Sequence, residues 1–498
     1  MDAERTPVIV GVGQINDRPS DPDQGLDTLG LMEASLRRAD EDAGGGWLAD
    51  LDGISTVDQI TYLGLTGIPE KLAAAFGASP ARLETTDMPH GDSPVRLLNE
   101  AANRIGAGES RIVAVTGAEA LRTAAQRARR AAEAGAPPPD LMRANPKRKL
   151  TDLRREFGLI APVDLYPLYE NAGRAAEGLS LAQAQAENGR IWEGLATVAR
   201  DNPHAWIRTG KTAEEIVTPS PDNRRISFPY NKLMVANSSV NQGAGFIVTS
   251  LAEARRRGLA DEALVFVGHG AGAQEPYDPL ARDRYDRSPS MIASLTAALE
   301  FNGIEAGELD AVELYSCFPC VPKMARRVLG WDVDRPMTVF GGLTFGGGPV
   351  ANYMSHAVAS MTEALRGTAK RGLLYANGGI VTTNHTILLS GARIPAASFP
   401  KSPDVQARAD AARGPVPEMR EDHLGPVTIE TYAVHYDRQG APRGGAVMGR
   451  TPDGARTLAH VRPEDAALIA FLTDGAVEPV GTAGGVAQAD GKRIFTRE

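Results

Sequence analysis

The chain has 498 residues and is 42% hydrophobic, enough apolar material for two large cores and a smaller one; its net charge of −9 offers no basic face for nucleic acid. Two cysteines exclude a disulfide framework and suit a reducing cytoplasm. No uninterrupted run of about 18 apolar residues is present to span a bilayer, and Met1-Asp2-Ala3-Glu4-Arg5 lacks the basic-then-apolar order of a secretion signal, so a cytoplasmic location without a membrane span is expected.

In chain order, residues 8–12 form a short apolar run that stops at Gly13. Such a run fits a strand covered on both faces in an α/β layer. Ser93 reads as an N-cap with Pro94 at the first helical position, and Val95, Leu98, Ala102 and Ile105 then recur at helical spacing. Residues 112–115 make a second strand. Composition shifts over about 119–240, which is read as an insertion on the α/β core. It opens with an Ala/Arg-rich helical stretch at 124–130, passes through Pro137-Pro138-Pro139, and carries basic clusters at Lys147-Arg148-Lys149, Arg154-Arg155 and Arg224-Arg225. These clusters read as solvated helix faces or as holders of anionic phosphates. Strands are predicted again at 246–249, 265–267 and 373–376. A polar linker at 396–425 follows, and from Val427 the pattern alternates. Turn signals at Arg438-Gln439-Gly440, Pro452-Asp453-Gly454 and Asp490-Gly491, with a helix starting near Pro463-Glu464-Asp465, predict a small antiparallel barrel docked on the main body.

The two halves of the main body repeat each other. Val8-Ile9-Val10-Gly11 answers to Val265-Phe266-Val267-Gly268, Leu51-Asp52-Gly53-Ile54 to Leu309-Asp310-Ala311-Val312, Gly91-Asp92-Ser93-Pro94 to Gly346-Gly347-Gly348-Pro349, and Arg111-Ile112-Val113 to Arg371-Gly372-Leu373. The offsets are 257, 258, 255 and 260 residues, in unbroken order. A two-copy repeat of this length is a duplicated domain, not a solenoid. The expected organisation is therefore an N-terminal half at 1–250 containing the insertion, a C-terminal half at 251–395, the linker at 396–425, and the barrel at 426–498. Function is expected where matching elements of the halves meet.

Three further motifs carry a family resemblance. Ala236-Asn237-Ser238-Ser239-Val240-Asn241-Gln242-Gly243-Ala244 looks like the N-A-S-G-x-N-D-G-A segment of thiolases. Gly341-Gly342-Leu343-Thr344-Phe345-Gly346-Gly347-Gly348-Pro349 looks like their G-G-x-x-x-x-G-H-P segment, and Leu314-Tyr315-Ser316-Cys317-Phe318 sits where they have N-E-A-F or H-D-C-F. The chain resembles the thiolase superfamily over about residues 5–391, nearest to sterol-carrier-protein thiolases and to type-1 thiolase-like proteins with an added C-terminal domain. The resemblance implies two βαβαβ-type halves layered α/β/α/β/α, a helical loop-domain insertion and a small C-terminal β-barrel. It also implies coenzyme A or an acyl-CoA as ligand with no other cofactor, contacts from Ser238 and Ser239 to the pantetheine arm, and a monomer or homodimer.

The chemistry departs from that pattern. Thiolases attack with a cysteine at a helix N-terminus, where partial positive charge stabilises the thiolate; here that position is Gly91, followed by Asp92. The family histidine aligns with Gly348, the second cysteine near Asn377, and the Asn or His of the third motif with Tyr315. Cys317 matches the acid/base cysteine of the sterol-carrier-protein thiolases, but an acid/base without a nucleophile cannot carry ping-pong acyl transfer. Cys317-Phe318-Pro319-Cys320 has too few thiols for a closed zinc site, so no metal is expected. The glycines at 346–348 lack the Lys-Ser/Thr ending of a phosphate loop. Tyr353 reads as a cleft or packing aromatic, and His356 as a packed or surface residue. Two readings follow. One is a binding protein for coenzyme A or acyl-CoA, with Ser238, Ser239, Arg224 and Arg225 as contacts. The other is an enzyme of different chemistry, a retro-aldolase or other acyl-CoA lyase using Cys317, Tyr315 or Tyr353 for proton transfer. Residual acyl-CoA acyltransfer is a third and weaker possibility.

Overall fold

The apolar runs become strands that are buried along most of their length, because sheet or helix covers them on both sides. The computed structural model describes residues 2–62, 64–136 and 150–497. Pro137-Pro138-Pro139 and Lys147-Arg148-Lys149 lie outside the described residues.

The first half runs β1 (Pro7–Asn16), α1 (Thr28–Asp42), β2 (Gly53–Thr56), α2 (Ile68–Phe76), β3 (Arg82–Thr85), α3 (Ser93–Ala107) and β4 (Ile112–Glu119). Next come α4 (Leu121–Glu133), α5 (Asp152–Glu156), α6 (Pro162–Ala176), α7 (Leu181–Asp201), α8 (Ala213–Val217) and the hairpin β5 (Arg225–Ser227) and β6 (Tyr230–Asn231). Strand β7 (Gln242–Ser250) then completes the first half, followed by α9 (Leu251–Arg256). The second half runs β8 (Val265–Gln274), α10 (Pro289–Asn302), β9 (Ala311–Leu314), α11 (Cys320–Leu329), α12 (Tyr353–Leu365), β10 (Arg371–Gly378) and β11 (Thr383–Ser390).

These strands join in the order β3-β2-β4-β7-β1-β8-β11-β10-β9. The two halves have matching patterns: β2 pairs parallel with β4 and β9 parallel with β10, while β7 and β11 run antiparallel to their neighbours. Val8 opposite Phe266 and Ile9 opposite Val265 form the seam between β1 and β8, the two strands that carry the repeat. Helices α3 and α12 touch strands of both halves, whereas α1 covers the first half and α10 the second. This is the expected α/β/α/β/α layering.

Helix α12 occupies the middle layer because small or apolar residues surround it on all sides. Two of its polar side chains are held internally: Ser355 donates to Asn352 Oδ1 at 2.7 Å, and His356 Nδ1 meets Gln14 Oε1 at 2.8 Å, while His356 Nε2 is buried without a partner among the described residues. Burial lowers the His356 pKa to about 3, so its ring is neutral.

Strands β12 (Gly425–Tyr436), β13 (Pro442–Arg450), β14 (Arg456–Val461), β15 (Ala483–Ala489) and β16 (Lys492–Thr496) close a five-stranded barrel in the order β12-β13-β14-β16-β15. The expected helix begins at Ala466, with Asp465 accepting from the Leu468 N–H at 3.0 Å. The polar stretch at 396–425 contains a further helix, α13 (Gln406–Ala412), and its Val405 N–H donates to Gly272 O of β8 at 3.1 Å.

The barrel is fastened to both other parts. Ser227 of β5 pairs with His435 of β12, so the insertion's hairpin extends the barrel sheet. Asn171 of α6 donates to Tyr432 O at 2.9 Å, and Thr431 returns a bond to Leu168 O at 2.7 Å. The fully buried Arg456 guanidinium pairs with Glu430 at 2.6 Å and donates to Leu280 O at 3.1 Å and Arg282 O at 2.6 Å of the second half. Replacing Arg456 leaves the mostly buried Glu430 carboxylate with only the more exposed Arg450 at 2.8 Å and strips the donor from two carbonyls at once. We expect Arg456→Met to cost about 3 kcal/mol in denaturant unfolding, whereas Arg443→Ala, at an exposed arginine beside Asp164, changes stability by less than about 1 kcal/mol.

Candidate functional site

The N-terminus of α3, the segment after β9, the end of β10 and the glycine turn before α12 meet between the halves. Gly91 is buried there and does not adopt a left-handed φ, so space and not backbone conformation dictates glycine. A Cβ on residue 91 would overlap both the Tyr315 hydroxyl oxygen and the backbone oxygen of Asn377, and would lie 2.6 Å from Tyr315 Cζ. The phenol thus occupies the volume that a nucleophilic side chain would need.

Helix α3 starts one residue earlier than its sequence suggests. Asp92 is the N-cap and Ser93 the first helical residue, with the Asp92 carbonyl accepting from the Arg96 N–H at 3.0 Å. Ser93 Oγ is drawn upstream, where it accepts from the His90 N–H at 3.2 Å. The Asp92 carboxylate accepts from Thr383 Oγ1 of β11 at 2.6 Å, binding the two halves together at a helix end that favours negative charge.

Cys317 lies next to this cluster. Burial pushes its thiol up to about 12, although the nearby Tyr166 hydroxyl acts in the opposite direction. A thiol held this high is neutral at physiological pH and is neither a thiolate nucleophile nor an effective base. Tyr166 comes from α6 of the insertion. Its ring stacks on Phe318 at 4.3 Å, its hydroxyl donates to Gly379 O at 3.2 Å, and Asn377 Nδ2 donates to it at 3.5 Å. Asn377 Oδ1 is buried without a hydrogen-bond partner among the described residues. Tyr315 is held well above the ordinary phenol range, chiefly by burial and then by its neighbours Cys317 and Asp92. Every titratable group of this cluster with a displaced pKa is thereby kept in its neutral, proton-donating form.

Behind Tyr315, the Tyr353 ring meets it edge-on at 5.9 Å. The Tyr353 hydroxyl donates to Glu313 Oε1 at 2.7 Å, and Thr338 Oγ1 donates to Oε2 at 2.7 Å. Burial raises the Glu313 carboxyl to about 7, and these hydrogen bonds oppose the rise. Glu313 did not emerge as a site residue from the sequence; a lone acid within the apolar run 311–314 was the available signal.

The glycine turn closes the other side. Gly347 has a φ of 103°, and a Cβ there would overlap Gln242 Oε1 and lie 2.8 Å from Gln242 Cδ. The Gly348 N–H donates to Asn237 O at 2.8 Å, and Ala236 N–H donates to Cys317 O at 3.1 Å. The loop carrying the exposed Ser238 and Ser239 is therefore anchored on both Gly348 and Cys317. Arg224 and Arg225 sit elsewhere, at the insertion–barrel junction: Arg224 donates to Asp437 O at 3.4 Å, and Arg225 lies 5.7 Å from the Tyr436 ring centroid. Cys320 is also buried, with Sγ 3.9 Å from Tyr166 O, beside the buried Lys323–Glu170 pair. Among the described residues no group of three or more His, Cys, Asp or Glu converges as a metal site, and no helix is long and apolar enough to cross a membrane.

Residues 404–492 match the family model of the thiolase-like protein type 1 additional C-terminal domain. The whole chain superposes on the crystal structure of a monomeric SCP2-thiolase like protein type 1 from Mycobacterium smegmatis, with 29% identity, 100% coverage of both chains and a TM-score of 0.84. An acetyl-CoA acetyltransferase of Schizosaccharomyces pombe is 28% identical over 187 residues, 36% of this chain and 45% of that protein, so the match spans less than half the length of this relative. The Ltp2-ChsH2(DUF35) aldolase shares the fold at 18% identity and a TM-score of 0.59, over 79% of this chain and 100% of that one.

Two outcomes test this geometry. Gly91→Ala should cost about 3 kcal/mol, read by thermal or denaturant unfolding, because neither Tyr315 nor the Asn377 backbone can yield the space; Tyr315→Phe in the same chain should recover only part of it. Alkylation of Cys317 by iodoacetamide should be slow at pH 7 and rise about tenfold per pH unit through pH 10. A rate plateau below pH 9 contradicts the buried neutral thiol.

Proposed function

Because the chain belongs to the thiolase superfamily, as a type-1 thiolase-like protein with the additional C-terminal domain, we propose that it binds coenzyme A or an acyl-CoA without forming an acyl-enzyme. The observation that carries this reading is the Tyr315 phenol packed against Gly91. Acyl transfer by the thiolase route needs an anionic sulfur at that helix start, and the space is taken by a neutral hydroxyl and a carbonyl. Cys317 does not replace it, since its raised pKa keeps the proton on sulfur.

What remains suits recognition. The neutral Cys317 thiol and the Tyr315 hydroxyl can donate hydrogen bonds without attacking a carbonyl, whereas the Tyr166 hydroxyl proton is already spent on Gly379 O. The Asn377 Oδ1 acceptor has no hydrogen-bond partner among the described residues, and such a buried group is normally satisfied. The Ser238–Ser239 loop, exposed and anchored on the cluster, supports the placement of the pantetheine arm. A monomer in solution belongs to the same reading, and the Mycobacterium smegmatis relative is described as monomeric.

A second reading, retro-aldol cleavage of a β-hydroxyacyl-CoA, is favoured by the position of the Tyr315 hydroxyl where a reacting group would stand. In that reaction the β-hydroxyl proton leaves to a base, the Cα–Cβ bond breaks, a ketone or aldehyde departs, and the enolate is protonated at Cα. Tyr315 can supply the last proton, but its raised pKa makes it a poor acceptor of the first, so this reading stands second.

Calorimetry with coenzyme A and with short- and long-chain acyl-CoAs is expected to show saturable binding, while intact-mass analysis of the same mixtures shows no acyl adduct. An acyl mass on the protein would return it to acyltransfer. Release of a ketone or aldehyde from β-hydroxyacyl-CoA, lost in Tyr315→Phe, would promote the second reading.

A further inference from the structure

Two arginines beside the Ser238–Ser239 loop have no carboxylate partner among the described residues. Arg18 follows β1 and Arg122 stands at the start of α4, and both are exposed. The Arg18 guanidinium carbon lies 4.0 Å from the Trp206 ring centroid, and that of Arg122 lies 5.9 Å from the same ring. Arg18 also donates to the Trp206 carbonyl. The two cations are close enough that Arg122, after burial, contributes to lowering the Arg18 pKa. The acids close to Arg18 in the sequence are otherwise engaged: Asp17 accepts from the Leu26 N–H at 2.8 Å, and Asp21 and Asp23 pair with Arg130 at 2.6 and 3.1 Å.

This pair is tied to the candidate site through backbone contacts. The Arg122 N–H donates to Val240 O at 3.2 Å, next to Ser239. The Trp206 N–H donates to Gly346 O at 2.9 Å, and Ile207 N–H to Phe345 O at 2.7 Å, within the turn that leads to Gly348. Like charges gathered on one indole repel each other, and an indole face relieves only part of that. An anion between them removes the repulsion, and two planar guanidinium forks match the several oxygens of phosphate better than the two of a carboxylate. The reacting end of a thioester belongs at the buried Gly91 cluster, so the end left at the exposed rim is the charged one.

We propose that Arg18 and Arg122, held on the face of Trp206, form a clamp for the phosphate groups of the thioester ligand. The clamp rests on the coenzyme A reading for its physiological ligand and on its own geometry for its anion chemistry. Calorimetry on the full chain with inorganic pyrophosphate, coenzyme A and pantetheine separates the two. Pyrophosphate should bind the native protein saturably and lose about tenfold in affinity in Arg122→Gln and in Arg18→Gln, with raised salt weakening the native binding. Coenzyme A should lose a similar factor, and pantetheine, which has no phosphate, should lose none. Equal pyrophosphate affinity in the native protein and the variants, or no pyrophosphate binding at all, overturns the clamp. Coenzyme A bound equally well by all three proteins also overturns it and leaves the coenzyme A reading intact. Arginine-dependent pyrophosphate binding with no binding of coenzyme A or pantetheine keeps the clamp and retires the coenzyme A reading. Arg122 is exposed, so Arg122→Gln decides the matter alone if Arg18→Gln fails to fold.

Discussion

Gly91, the residue just before the N-cap of α3, stands where there is no room for a side chain, and most of the candidate chemistry follows from that constraint. The Tyr315 phenol comes from the segment after β9 and the Asn377 carbonyl from the end of β10, both in the second half, and together they close on Gly91 of the first. A thiolate at this helix end would draw on the helix's partial positive charge. Here that field instead faces Asp92, whose carboxylate spends its hydrogen bond on Thr383 across the seam. A position suited to activating a nucleophile therefore serves to hold the two halves together.

The insertion and the barrel act on the same region from outside. Tyr166 reaches from α6 to lie over Phe318 and beside Cys317; burial of the thiol raises its pKa, and the Tyr166 hydroxyl opposes part of that rise. Helix α6 is itself held by the barrel through Asn171 and Thr431, and by the buried Arg174 paired with Glu478 at 2.9 Å. The added domain is thus mechanically connected to the cluster through one helix. Its small core is supplemented by polar contacts that are nearly all buried, where geometry is held tightly because an unmade bond is costly.

Much of the fold was legible in the residues. Continuous apolar runs ending at glycine marked β1, β4, β8 and β10, and their order and offsets revealed the duplication. Turn signals located the barrel hairpins, and Asp465 marked the start of its helix. The start of α3 was misplaced by one residue because Ser93 is a good capping residue by type, while its hydroxyl found an upstream partner in His90. The helix within 396–425 was missed because it is short and its surroundings are polar, so its only strong pattern is the contact it makes with β8 and α10.

For the site, the sequence alone established what is missing: no cysteine at 91, no histidine at 348, and thiols only at 317 and 320. Those are facts of composition and position, and no folding is needed to read them. Tertiary structure alone decided what stands in their place. That the Tyr315 ring fills the gap at Gly91, that Tyr166 of a distant insertion covers Cys317, that Glu313 holds Tyr353, and that Arg18 and Arg122 meet on Trp206 are all contacts between segments far apart in the chain. Local spacing records which face of a strand or helix is buried, but which two buried faces come together is set by packing, and packing leaves no periodic trace along the sequence.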